Sequence, residues 1–198
     1  MISAIVVAAG DSIRMGSQDK LQLAFQNNTM LGTVLNALSE SIVDEIIIVI
    51  NKNYIEKNKL THSKFSYVIN EAADTGLTSS IQRGIHSVNE NSSAYMICLA
   101  DMPLLQKDDY NNLINKFLEN KGKVICQPLL NNRSGNPVIF SSHFKDQILS
   151  LTSSYGCKPV VRDNQQYIRH FETDTNSFFI DIDTPGDYEN LLNRISKS

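Results

Sequence analysis

The order of apolar segments predicts an α/β protein built on a single, mostly parallel sheet with helices on both faces. Two observations carry this. Short apolar runs of strand length recur at residues 4–7, 45–50, 65–68, 95–99 and 124–127, and segments of helical periodicity lie between most of them. The first run also leads straight into a glycine-containing loop, and an open parallel sheet collects its ligands beyond the carboxyl ends of its strands.

Each element has its own signal. Leu31, Val34, Leu35 and Leu38 fall at i, i+3, i+4 and i+7, and Leu77, Ile81, Ile85 and Val88 follow nearly the same period, so both segments are amphipathic helices. Leu113, Ile114, Phe117 and Leu118 mark a third, entered from the polar turn at Lys107-Asp108-Asp109. After Gln127 the pattern loosens: 131–137 is a polar loop, and Val138-Ile139-Phe140 is a short strand that suits an antiparallel place. Thr184-Pro185-Gly186-Asp187 opens the last helix, with Thr as cap, Pro at the first helical position and an acidic group in the first turn. Asp181 and Asp183 lie just before it.

Bulk properties exclude several classes of function. The 198 residues read as one domain, since no linker or composition break divides them. A net charge of -3 and a pI near 5.8 argue against a general binder of nucleic acid, which needs a surplus of Lys and Arg. No apolar run reaches the roughly 18 residues of a membrane span, and the chain opens directly into a strand, so no membrane role and a cytoplasmic location are expected. Cys98, Cys126 and Cys157 are far apart and lack histidines at ligand spacing, which argues against zinc. Cys98 and Cys126 sit in apolar runs as buried thiols, and Cys157 lies in a polar turn region. His62, His86, His143 and His170 are scattered and give no local support to a histidine-centred triad.

The loop Ala8-Ala9-Gly10-Asp11-Ser12-Ile13-Arg14-Met15-Gly16, with Lys20 four residues on, carries the chemistry. Two glycines let backbone N–H groups approach an anion, and Arg14 and Lys20 add positive charge, so this is a phosphate-binding loop. Its spacing fits neither a Walker A loop nor the dinucleotide G-x-G-x-x-G pattern. Asp101 ends the fourth apolar run, facing that loop across the sheet edge, and as a hard oxygen ligand suits Mg2+ held jointly with phosphate oxygens. Asp181 and Asp183 alternate across Ile182 and point the same way if extended, so one could add a second metal contact; Asp183 reads equally as the cap of the following helix. Such a site performs phosphoryl or nucleotidyl transfer by positioning and charge neutralisation, without a side-chain nucleophile.

Five segments together resemble the MobA-like nucleotidyltransferases: the loop with Lys20; Gly76-Leu77 with Ser79-Ser80-Ile81-Gln82-Arg83-Gly84-Ile85; Ala100-Asp101-Met102-Pro103-Leu104; Gly135-Asn136-Pro137; and Asp181-Ile182-Asp183-Thr184-Pro185. Within that family the chain is most similar to the molybdenum cofactor cytidylyltransferases. The resemblance covers nearly the whole chain in the right order. It implies a three-layer, Rossmann-like fold of the nucleotide-diphospho-sugar transferase kind, with residues 1–127 binding nucleotide and 128–198 the acceptor. It implies Mg2+-dependent transfer from CTP to molybdopterin, giving the cytosine dinucleotide and pyrophosphate.

By the same resemblance Arg14, Lys20 and Asp101 are catalytic, Gly10, Ser12, Arg14 and Gly16 wrap the triphosphate, and Lys20 meets the α-phosphate. Ala8, Ala9, Gly76 and Ser80 line the base pocket; Asp101 and Asp183 hold metal; Asn136, Lys158 and Asp181 face the acceptor. The guanylyl branch typically reads Ala-Gly-Gly where this chain has Ala8-Ala9-Gly10, and an alanine methyl leaves less room for a purine. Relatives that make cytidine diphosphate methylerythritol carry Asp-Ala-Ala-Arg at Asp101-Met102-Pro103 and an Arg at Leu77, which disfavours that branch. The acceptor half departs from the family pattern: Ser153-Ser154-Tyr155-Gly156 stands for Gly-Asp-x-Gly, and Asn136 for a common His. A missing carboxylate removes an acceptor for pterin N–H groups. GTP, another small phosphorylated acceptor, and a non-catalytic carrier that hands a cofactor to a molybdenum hydroxylase apo-enzyme are the alternatives.

Overall fold

The computed structural model describes residues 1–10, 19–55 and 60–195. Its centre is an eight-stranded sheet ordered β10-β7-β9-β6-β1-β4-β5, with β8 paired to β7. The strands β1 (Ile2–Ala8), β4 (Glu45–Ile50), β5 (Phe65–Ile69) and β6 (Ala94–Leu99) run parallel to one another. β7 (Ile125–Leu130) and β10 (Ile168–Glu172) extend the sheet as a further parallel pair. Between them and β6 lies β9 (Val138–Ser141), antiparallel to both neighbours, as its sequence leads one to expect. A separate two-stranded hairpin, β2 (Ala24–Phe25) with β3 (Asn28–Thr29), stands off the main sheet.

The strands are near-continuous apolar runs because both faces are covered. Along β4, Ile46, Ile48 and Ile50 enter one core while Ile47 and Val49 enter the other. The first core is closed by α1 (Met30–Glu40), through Leu31, Leu35 and Leu38, and by α4 (Lys107–Leu118), through Tyr110, Leu113 and Ile114. The second is closed by α3 (Leu77–Ile85), through Ile81 and Ile85. Gly84 sets how near α3 lies: a Cβ there would stand 2.3 Å from Ile5 Cγ2, so only glycine lets the helix rest directly on β1. The predicted helix stops at Ile85, short of Val88, which packs against the same core from the following turn.

Capping fixes the helix starts. Thr29 accepts from Gly32 N at the head of α1, and Asp109 accepts from Gln106 N at the head of α4, so the polar turn there is a cap. The predicted loop over 131–137 proves to be partly a hairpin. Asn131 and Asn132 take φ of 49° and 62°, the two left-handed positions of a type I′ turn, and bring β8 (Arg133–Ser134) back onto β7. The part of the chain after Gln127 adds short elements that the apolar pattern does not announce: α5 (Lys145–Leu149), α6 (Lys158–Asp163) and β10. The chain closes with α7 (Pro185–Ile195); α2 (Lys52–Ile55) is a single turn after β4. No described helix is long and apolar enough to cross a membrane.

Candidate active site

Three separate segments converge at the carboxyl ends of β1 and β6. Asp101 follows β6, whose exit is tied to β1 by Ala100 N donating to the Val7 carbonyl at 3.3 Å. The Asp101 carbonyl in turn accepts from Ile182 N at 3.0 Å, which places residues 181–183 alongside. Ile182 is buried with Phe25, Met30 and Leu191, and the Tyr188 hydroxyl donates to the Ala24 carbonyl at 2.5 Å. That small third core, shared by α7 and the β2–β3 hairpin, holds Asp183 in place. Lys20 opens a single 3₁₀ turn, fixed by Asp19 accepting from Leu21 N and by burial of Leu21.

Lys20 Nζ lies 2.6 Å from Asp101 Oδ2 and 2.9 Å from Asp183 Oδ1, so residues 81 and 163 positions apart share one cation. Burial pushes the Asp101 carboxyl above the usual carboxylate range; Lys20 works against that, and the charges of Asp183 and Asp181 add to it. Burial alone would lower the Lys20 ammonium, but the two carboxylates outweigh it and raise the group above its ordinary value. Asp101 Oδ1 is buried and has no hydrogen-bond partner among the described residues. A buried carboxylate oxygen left unsatisfied is costly, so this corner is short of one cation or donor.

That orphaned oxygen fits a hard divalent ion. Magnesium takes one or two carboxylates and completes its shell with water and phosphate oxygens. Among the described residues no cluster of three or more His, Cys, Asp or Glu forms a ready metal cage. Asp183 does not cap α7: Thr184 Oγ1 accepts from Asp187 N, and Asp187 Oδ2 accepts from Thr184 N.

Of the residues expected to meet the nucleotide, Ala8 and Ala9 are buried, and Gly10 is exposed with open space where a Cβ would stand. Ser12, Arg14 and Gly16, predicted to wrap phosphate, lie outside the described residues. Ser80, in the first turns of α3, is buried and accepts from Asn70 Nδ2 at 2.9 Å; Ser79 accepts from the same nitrogen at 3.0 Å. Asn70 is itself buried, its Oδ1 accepting from Ala72 N. Sequence reading passed over it, although it carries the same signal as Asp101: one polar residue ending an apolar strand at the sheet's carboxyl edge.

Beside this cluster opens a cavity of about 550 Å³ that brings Asn136, Lys158 and Asp181 together. Asp181 and Asp183, though alternate, serve different ends: one lines the cavity, the other pairs with Lys20. Leu77, Ile97, Leu99, Val138 and Phe140 supply apolar wall, and Arg162 and His170 add basic groups that the sequence did not single out. Cys157 also lines it; the residue is buried, and burial pushes the thiol up to about 12, so at neutral pH it is an un-ionised part of the wall. Cys98 and Cys126 are buried free thiols of the core.

The sequence pattern of the MobA-like NTP transferase domain matches residues 4–173. The chain belongs to that family. A probable molybdenum cofactor guanylyltransferase from Methanosarcina mazei is 25% identical to it over 205 residues, covering 96% of this chain and 89% of that one. Among solved structures, a nucleotidyl transferase from a Methanothermobacter species superposes with a TM-score of 0.84 at 20% identity, covering 100% of this chain and 98% of that one. A Mycobacterium tuberculosis protein crystallised in complex with manganese gives a TM-score of 0.81 at 21% identity, covering 97% and 98%. The MobA-like chain therefore has the nucleotidyltransferase fold expected of it, with an antiparallel strand set into its mostly parallel sheet.

Proposed function

We propose that this MobA-like protein transfers the nucleotidyl group of CTP to a molybdopterin-type acceptor and releases pyrophosphate. The observation that carries the reading is the Lys20–Asp101–Asp183 cluster, in which the buried Asp101 Oδ1 has no hydrogen-bond partner among the described residues, adjoining the cavity of Asn136, Lys158 and Asp181. The name of the Methanosarcina relative supports a molybdenum cofactor substrate. An acceptor phosphate oxygen bonds to the α-phosphorus of the nucleotide as the bond to the bridging oxygen of pyrophosphate breaks, so the electron pair leaves with pyrophosphate. Lys20 turns toward the α-phosphate and the charge that builds on it, together with Arg14. Asp101 and Asp183 would hold Mg2+ or Mn2+, which when bound neutralises the triphosphate and the leaving group; the manganese complex of the mycobacterial neighbour supports a divalent ion. Ala8, Ala9, Gly76 and Ser80 receive the base, and Gly10, Ser12 and Gly16 the phosphates. The product's recipient is a molybdenum hydroxylase apo-enzyme.

CTP is favoured by the Ala8-Ala9-Gly10 form, whose second alanine is fully buried. GTP is the second reading, favoured by the guanylyltransferase name of the Methanosarcina relative. Pyrophosphate release, measured with Mg2+, molybdenum-loaded molybdopterin and each of CTP, GTP, ATP and UTP, decides between them. Release with CTP alone is expected. Release with GTP alone moves the assignment to the guanylyl branch, and binding without release under all four supports the carrier alternative.

A further inference from the structure

The loop between α5 and α6 is fastened to the start of α3 at two points. The Ser154 carbonyl accepts from Leu77 N at 3.2 Å, and Gly156 N donates to Thr78 Oγ1 at 2.9 Å. Gly156 takes a φ of 66°, and a Cβ there would meet Leu77 Cδ2 at 2.7 Å, so this backbone lies directly on the helix. Tyr155, between the two fastenings, nevertheless leaves its side chain in solvent, with the residue 71% exposed, and lines the cavity of Asn136, Lys158 and Asp181. A single exposed apolar side chain is ordinary on a protein surface. A tyrosine on a backbone held from both sides, at the mouth of a ligand-sized cavity, has the form of a prepared contact surface.

We propose that Tyr155 is the stacking platform for a flat heterocycle of the acceptor, and that it selects planar acceptors over sugar phosphates of similar charge. The inference rests on the acceptor reading above. It also accounts for the loop's composition: Ser154 stands where the family motif has a carboxylate, so recognition through hydrogen bonds is reduced and a ring face stands next to it. Stacking of a nucleobase-like ring on an aromatic side chain is worth about 1–3 kcal/mol by substitution, or roughly 5- to 150-fold in affinity. Lys158 and Arg162, on the neighbouring wall, would meet the acceptor's anionic group.

The test uses a fluorescent pterin, 6-carboxypterin, titrated with the full chain and with Tyr155→Phe, Tyr155→Leu and Tyr155→Ala. Stacking quenches the pterin, so wild type and Tyr155→Phe are expected to quench with similar affinity. Leu, apolar but without a π face, and Ala are expected to weaken binding about tenfold or more. Because Tyr155 is exposed, all four proteins should melt alike. In steady state the two weak variants should raise KM for molybdopterin and leave kcat and the nucleotide KM unchanged. Leu or Ala binding within twofold of wild type overturns the platform while leaving the acceptor reading intact. A wild type that neither binds the pterin nor uses molybdopterin, yet releases pyrophosphate with ribose 5-phosphate, overturns the acceptor reading and the platform with it.

Discussion

Around Asp101 the chain leaves a strand buried on both faces, whereas around Tyr155 and Lys158 it runs through short helices and turns fastened to a neighbouring helix. On the first side, β1 and β6 are laddered to each other, and Asp101 inherits its position from that ladder. On the second, position is borrowed from α3, through Gly76, Leu77, Thr78 and Gln82. The difference teaches that the charges of the Lys20–Asp101 cluster can be changed without moving the scaffold, while the Tyr155–Lys158 side should respond to substitutions in α3, the helix proposed to receive the base.

The largest effect expected tests the first half of that contrast. Asp101→Asn and Lys20→Met should each lower pyrophosphate release by about a hundredfold or more, the scale of losing a group aimed at developing charge. Lys20→Met should lower the melting temperature as well, because it leaves the buried Asp101 carboxylate beside Asp183 without their shared cation. Lys20→Met should also bind Mn2+ more tightly than wild type without nucleotide, by electron paramagnetic resonance, because an ammonium no longer competes for Asp101 and Asp183. Unchanged turnover in both variants would remove the cluster from the mechanism.

A smaller effect tests the join between the halves. Gly76 holds a φ of 113°, and a Cβ on it would fall 2.7 Å from Ser154 Cβ and 2.9 Å from the Ser154 carbonyl oxygen. Gly76→Ala should cost about 1–3 kcal/mol in denaturant unfolding, the usual scale for a strained backbone position. It should raise KM for both substrates, because the residue proposed to line the base pocket also lies against Ser154. Gly84→Ala, which overpacks against Ile5 and Val49 deep in the sheet, should cost a similar about 1–3 kcal/mol with both KM values kept. Equal KM profiles for the two variants would dissolve the distinction between join and scaffold.

The same contrast explains what could be read from the sequence. The strands at 45–50 and 95–99 and the helices over Leu31 and Leu113 announced themselves because an unbroken apolar run of strand length and a 3.6-residue apolar period are local properties. Asp101 was legible because a lone carboxylate closing an apolar run is visible without tertiary knowledge. The pairing of Lys20 with both Asp101 and Asp183 was not, since its partners lie 81 and 163 residues away. Likewise α5, α6 and β10 lack strong patterns: β10 is an edge strand whose Arg169, His170 and Glu172 are exposed, so no run of buried residues marks it. Of the predicted phosphate cradle from Gly10 to Gly16, only Gly10 falls among the described residues.

Gln82 offers the finest test, because it belongs to a family-like motif in the sequence and has a scaffold task in the structure. Its Nε2 lies 3.1, 3.0 and 2.9 Å from the carbonyl oxygens of Ile148, Leu149 and Leu151, around the end of α5. Gln82→Met keeps the bulk and removes the donor, so those carbonyls lose a partner, at about 1 kcal/mol by the usual scale of one net hydrogen bond. The expected signature is local: faster amide exchange over 149–157, a raised KM for the acceptor, and nucleotide KM unchanged. If exchange quickens instead across β1 and β4, then α3 stabilises the nucleotide half through Gln82, and the two sides of the crevice are one cooperative unit.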